Sequence, residues 1–596
     1  MVQHSSKTHG MQAFASRLLC DFSPFCGILA FALPSFLLLS SFYHPDKALF
    51  VPILYERPIS EPPADRWTPA LWQPASPKLA NLRSLARRSL QQAAAQFLQR
   101  LARTASHSGL NFTGVEFAPA DIQSAPLLLT GHQPVIFHPG LVFKYQLTEA
   151  VARSRSCPAV ALVIDTDEGD PGAFEVPQTV AADADSSAVR SAAVAPLRRS
   201  ISTFSKGSGL YAACRLASSQ QRSEIAMEVR QSLESVGCTA AAGAFSAAFA
   251  SYARLPEDLP MVTANTLVRR AAGIGSRLAE VPLTSVCGLP EVLRFFSDVL
   301  SRAVEFHDIY NSVLNHWRHQ QGIRNDANPF PNLRSTPNAL ELPFWLVDTG
   351  RGIRTVAWLH IAPPNSSRTA SIGDERQPVM ELPRGLESEA LLSLRLAGQL
   401  LVPRGALITA TLRLLFADLF IHGLGGGRYD PATDELIRRW WQETPPPFAV
   451  ASASMCLFPG ERAVLRRLQE FRSQSRELQF NPGRFLDQPP FSPEQAAEIR
   501  RLLEEKQAAV EELGKHRSSG TSGRETGRRL QQLSDAIRGR VAEILQPQLE
   551  AAGNISEETV STVESRMWPW FYFPGDWDLA SRGFALTPDP NSASNP

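Results

Sequence analysis

Residues 126–170 read PLLLTGHQPVIFHPGLVFKYQLTEAVARSRSCPAVALVIDTDEGD. The run PLLLT, 126–130, is a short apolar stretch that predicts a buried strand, and AVALVID, 159–165, predicts a second one. Between them LVFKYQLTEAVARS, 141–154, has the length and apolar spacing of a helix. Strand, helix, strand within about 40 residues is a βαβ unit, and such a unit implies parallel strands joined by a right-handed crossover. The fold class expected is therefore α/β.

Outward from this unit, Leu79 to Ser106 places Leu82, Leu85, Leu90, Phe97 and Leu101 near a helical period. Residues 168–210 lose periodicity and read as meandering strands or loops. Helical patterns return at Gln221–Val236 and at Leu289–His319, and strand patterns follow the Pro/Asn-rich segment from Gly322 and again from Gly352. Towards the C-terminus, Ile499, Leu503, Val510 and Leu513 follow a heptad-like spacing, with Lys506 in the seam. After the polar stretch HRSSGTSGRETG, a second helix puts Leu530, Leu533, Ile537, Val541 and Ile544 on one face. Together these predict an antiparallel helical coiled-coil arm. Four parts result: an extension, 1–47; a core with inserted connecting segments, 48–455; the helical arm, 456–550; and an aromatic segment, 551–596, whose SRMWPWFYFPGDW is too apolar to be left in water.

Composition narrows the function classes. Hydrophobic residues make up 44% and charged residues 20% of 596, which excludes chain-long disorder and a multi-span membrane protein. With 59 Lys+Arg against 58 Asp+Glu, nothing in the balance points to a nucleic-acid partner. The seven cysteines are scattered without a CxxC pair, so neither a disulfide framework nor a zinc ribbon is expected, and a reducing, cytoplasmic setting is the simpler reading. One stretch competes with it: residues 22–43, FSPFCGILAFALPSFLLLSSFY, are long enough to span a bilayer and read either as a signal anchor or as a dispensable extension.

Three segments could carry chemistry. The first, Thr130–Gly140, links the end of a strand to a helix, where ligands of open α/β sheets bind. There Thr130, Gly131, His132, Gln133 and Gly140 could contact substrate or phosphate, Lys144 could reach a phosphate from the first helical turn, and His138 is the candidate catalytic imidazole. The second is DTDEGD, in which Asp165 and Asp167 lie nearest the strand end and could act as a general base or orient a ribose or magnesium ion. The third is IHGLGGGRYDPATDE: Gly423, Gly425, Gly426 and Gly427 predict a compact flexible loop, Arg428 adds charge, and Asp430 with Pro431 predicts the start of a helix. No P-loop, HExxH or GxSxG motif occurs, and His316 with His319 lacks a third metal ligand, so no protein-held metal site is expected.

The order of TGHQ, HPG, DTD, the Gly423–Gly427 segment and the helical arm resembles the cysteine-adding enzyme family of bacillithiol biosynthesis. The likeness runs from about residue 50 to the end of the arm. This chain has His132 where the family has Gln, HPG at 138–140 in place of a GGP-like turn, and DTD in place of an EDHD-type motif, so it resembles a divergent branch. The resemblance implies a Rossmann-like core, ATP or another nucleotide with magnesium, and a homodimer through the coiled coil. It further implies a ligase that joins cysteine to the amine of a sugar conjugate. A nucleotidyltransferase on the same core and a non-catalytic coiled-coil scaffold are the alternatives.

Overall fold

The computed structural model describes residues 54–114, 122, 125–180, 193–204, 209–325, 327–361, 370–487, 491–553 and 557–586. The extension 1–47 and its apolar run 22–43 lie outside the described residues. No helix among the described residues is long and apolar enough to cross a membrane.

The described residues are mixed α/β and divide into two compact units, one of residues 54–472 with 548–586 and the other of residues 473–547. The larger unit is built on a six-stranded sheet whose strands are β1 (Glu56–Glu61), β2 (Leu128–His132), β3 (Ala159–Val163), β4 (Ala279–Pro282), β5 (Leu419–His422) and β6 (Phe448–Ser454). Their order is β1-β6-β5-β2-β3-β4; every neighbouring pair is parallel except β1 with β6. The central strands are apolar runs because both faces of a parallel sheet are covered, and Leu128, Leu129, Val160, Ala161 and Leu162 are fully buried.

Both ends of the central β2–β5 pair are pinned. At the start, the buried Asp418 carboxylate accepts from Leu127 N at 2.7 Å and from Arg83 and Arg87 of helix Pro77–His107. At the finish, Thr130 Oγ1 donates to Ile421 O at 2.9 Å. Chain segments 291 residues apart are thereby fixed side by side.

A second sheet is entirely antiparallel and runs in the order Pro378–Leu382, Ala370–Gly373, Ile353–His360, Ala339–Asp348, Gln399–Pro403. The aperiodic stretch after Glu168 contains an antiparallel hairpin, Ala173–Val180 with Ala193–Ser200. The single helical pattern at 289–319 is two helices, Pro290–Ser301 and Ala303–Gln320. The aromatic segment is buried in the same unit: Trp570 N donates to Phe137 O at 2.8 Å, and the Phe571 ring meets Phe174 edge-on at 5.4 Å.

In the smaller unit, helix Pro493–Ser519 starts in a capping box between Ser492 and Gln495 and ends at Gly520, whose φ of +70° is the left-handed cap that glycine adopts without strain. The next helix, Arg524–Gly553, runs on through Pro547. Ile499, Ile537 and Val541 are buried as the spacing predicted, but Ala509 and Leu545 take the buried positions expected of Val510 and Ile544. Helical faces drift against a heptad count, because 3.6 residues per turn does not divide seven. Arg540 Nε to Glu498 Oε2, 3.0 Å, pairs the two helices.

Candidate functional site

In an open parallel sheet the ligand crevice forms at the carboxyl ends of the strands where the order of connections reverses. Here that point lies between β2 and β5. The chain leaves β2 for β3 on one side through helix Pro139–Ser154, and leaves β5 for β6 on the other through helix Leu424–Leu436. The first and third candidate segments are thus the connections after two adjacent strands, and the acidic segment follows β3 beside them.

The Thr130–Gly140 segment spends most of its polar groups on itself. His138 is the N-cap of helix 139–154, its Nδ1 accepting from Gly140 N at 3.1 Å, and burial together with Arg566 and Lys144 pushes its pKa down to about 4. Gly140 is needed for close packing, since a Cβ there would lie 2.9 Å from Ala453 O and Ser452 Oγ. Lys144, expected to reach a phosphate, is 2% exposed and donates instead to Gly131 O at 2.7 Å. Burial holds it near pH 7, well below an ordinary lysine. A Cβ on Gly131 would lie 3.0 Å from Leu162. His132 packs edge-on against Phe137, and burial, then Lys144, lowers its pKa to about 3, so it is a neutral ring.

The acidic segment divides. Asp165 is buried and accepts from Thr284 N at 2.9 Å and Thr284 Oγ1 at 2.6 Å, so both oxygens are committed to anchoring the turn after β4. Burial raises its pKa to about 6 against those hydrogen bonds. Asp167 is open. Its Oδ2 accepts from Gln133 Nε2 at 3.0 Å and its Oδ1 from Arg354 Nη1 at 2.8 Å. The structure therefore brings Gln133 and Asp167 together and leaves His138 and Asp165 in the scaffold.

Asp167 and Arg354 line a cavity of about 380 Å³ with Tyr310, Phe330, Trp345 and Arg404. The Arg354 and Arg404 guanidinium carbons lie 4.3 and 5.0 Å from the Trp345 ring centroid. Arg404 is also paired with the buried Glu341, which fixes its direction. Reading the sequence by segments missed Arg354, Tyr310, Phe330, Trp345 and Arg404, five residues from the second sheet and its neighbours. A strand arginine carries no local signal, and its role comes from a register 187 residues away from Asp167.

The glycine cluster is not a loop. Gly423 is the N-cap, and Gly425, Gly426 and Gly427 form the first turn of helix 424–436. The reason is proximity: a Cβ on Gly427 would come within 2.2 Å of Val450, and one on Gly426 within 2.5 Å of His422 Nδ1. Arg428 is exposed. Asp430, expected to start a helix, sits buried in the middle of one, accepting from Arg413 Nη1 at 2.7 Å and facing His422 Nε2 at 2.9 Å. Burial opposes its ionisation, yet the hydrogen bond and charge of His422, with Arg413, hold its carboxyl below the ordinary range.

Among the described residues no cluster of three or more His, Cys, Asp or Glu side chains could hold a metal ion. Burial lifts the described thiols, with Cys157 and Cys214 at about 11 and Cys238 at about 12, so none of these three is a thiolate at neutral pH. No protein-family model matches the chain, and no curated protein matches it in sequence.

Proposed function

We propose that the chain is a ligase-like enzyme with a Rossmann-like, nucleotide-binding core, resembling the cysteine-adding enzyme of bacillithiol biosynthesis. In this reading it joins the carboxyl group of cysteine, or a similar amino or thiol metabolite, to the amine of a sugar conjugate. The observation that carries the reading is the convergence, at one reversal point of a parallel sheet, of two candidate segments and an acidic segment beside a charged cavity.

The chemistry of the lining supports a small zwitterionic or carboxylate ligand. Arg354 and Arg404 suit a carboxylate, Asp167 suits an ammonium group, and Trp345 and Phe330 supply apolar walls. The uncapped first turn of helix 424–436 suits a nucleotide's phosphates. Magnesium finds no protein cage of three or more His, Cys, Asp or Glu side chains among the described residues. Amide formation needs the carboxylate activated as a mixed anhydride: its oxygen attacks a phosphorus of ATP and a P–O bond breaks to release ADP or pyrophosphate. The amine then attacks the acyl carbon, the C–N bond forms, the C–O bond to the departing phosphate or AMP breaks, and the amine gives up one proton.

Incubation with ATP, magnesium, cysteine and a glucosamine–malate acceptor, followed by mass spectrometry, tests the proposal. Formation of the amide, reduced about 10-fold or more in Asp167→Asn and Arg354→Ala, is expected. Unchanged melting with millimolar ATP, together with no amide product, would sink it.

A further inference from the structure

We infer that His422 is the ligand-facing donor of a phosphate site at the first turn of helix 424–436, with Asp430 as the residue that positions it. This rests on the nucleotide reading of the β2–β5 crevice and names an atom within it. His422 is the last residue of β5, one position beyond the Ile421–Thr130 pairing, and only 8% of it is exposed. Its ring stands between Phe420, 4.5 Å away, and Phe448, 5.6 Å away, while Nε2 is held at 2.9 Å by Asp430. Asp430 is held in turn by Arg413, which also pairs with Asp434 at 2.7 Å. Nδ1 has no hydrogen-bond partner among the described residues, and it faces Gly426.

The surroundings of Nδ1 favour an anion. The N-cap is Gly423, with no side chain to cap the helix, and no acidic residue occupies the first turn. The i→i−4 bond from Gly427 N to Gly423 O leaves the preceding N–H groups without a partner inside the helix. Gly425 and Gly426 are exposed, so backbone can approach a ligand closely. With Nε2 turned to Asp430, an N–H on Nδ1 would be a second donor pointing at the helix end. A bound phosphate oxygen would accept from it beside the helix N–H groups, where the macrodipole also favours negative charge.

The test separates the two ring nitrogens. An asparagine amide reaches the position of Nδ1 and a glutamine amide that of Nε2, so His422→Asn keeps the ligand-facing donor while His422→Gln keeps the contact to Asp430. Titrating the full chain with inorganic pyrophosphate in a calorimeter, His422→Asn should bind within about 3-fold of the parent and His422→Gln about 10-fold or more weakly. Gly426→Ala, which crowds Nδ1, should also lose about 10-fold. Absence of pyrophosphate binding by the parent chain, or tight binding by His422→Gln with loss in His422→Asn, overturns the proposal. If melting shows both His422 variants unfolded, Gly426→Ala decides: undiminished binding refutes the site and lost binding supports it. Pyrophosphate binding with this pattern but no amide product keeps the site and removes the ligase reading.

Discussion

Two strand-to-helix connections lie side by side at the carboxyl ends of β2 and β5, both rich in glycine and histidine, and they treat those residues in opposite ways. After β2, His138 caps its own helix, Lys144 is buried against Gly131 O, and Gly140 is consumed by packing on β6. After β5, the glycines open the first turn of a helix, and His422 keeps one nitrogen anchored and the other without a partner among the described residues. Similar composition thus serves closure in one place and access in the other. The deciding quantity is where the hydrogen-bonding capacity goes.

The largest expected effect probes the anchored side of the second connection. Asp430→Ala leaves Arg413 buried without one of its carboxylates, and should lower stability by about 3–5 kcal/mol in urea unfolding. A change under about 1 kcal/mol would show that Asp430 is not the hub that separates the two connections.

Lys144→Met tests closure in the first connection and should stabilise. Burial lowers the folded-state pKa of Lys144 from 10.5 to about 7, so at neutral pH the unfolded chain holds a proton that the folded chain tends to release. That cost is complete below about pH 7, shrinks between there and 10.5, and vanishes above. The gain should therefore be about 1–4 kcal/mol near pH 7, after losing the bond to Gly131 O, and should fall as pH rises. A gain that grew with pH would reverse the argument.

Next come the glycines of the second connection. Gly427→Ala places a Cβ 2.2 Å from Val450 and should cost about 1–3 kcal/mol, whereas Gly425→Ala meets nothing within 4 Å and should stabilise the helix by about 0.5–1 kcal/mol. Equal effects on the melting temperature would mean that close packing does not select these glycines. His138→Ala removes an N-cap acceptor and should cost about 0.5–2 kcal/mol while leaving pyrophosphate binding unaltered. Loss of binding in that variant would erase the contrast between the two connections.

Much of the framework was legible. The expected strand, helix and strand at 126–165 appear as Leu128–His132, Pro139–Ser154 and Ala159–Val163, because fully buried strands are written as apolar runs. The helix at Leu79–Ser106 appears as Pro77–His107, with Ser76 as its cap. Asp167 and Gln133 were legible as polar groups at strand ends. The roles of His138 and Asp165 were not, since a histidine or aspartate in a turn reads the same whether it faces a ligand or a backbone N–H. His422 was overlooked although it ends an apolar strand and precedes a glycine, the very setting that flagged Thr130–Gly131.

By itself the sequence determined an α/β chain, a parallel βαβ unit, the long helices and the segments where polar residues gather at strand ends, because periodicity and turn chemistry are local. Only the tertiary structure decided that β5 pairs with β2, that Arg354 and Arg404 meet Asp167 and Trp345 around a cavity, and that the glycine run is a helix pressed on Val450 and His422. Those outcomes depend on register between segments hundreds of residues apart, and the free energy that fixes register comes from burial and buried ion pairs that no short window contains.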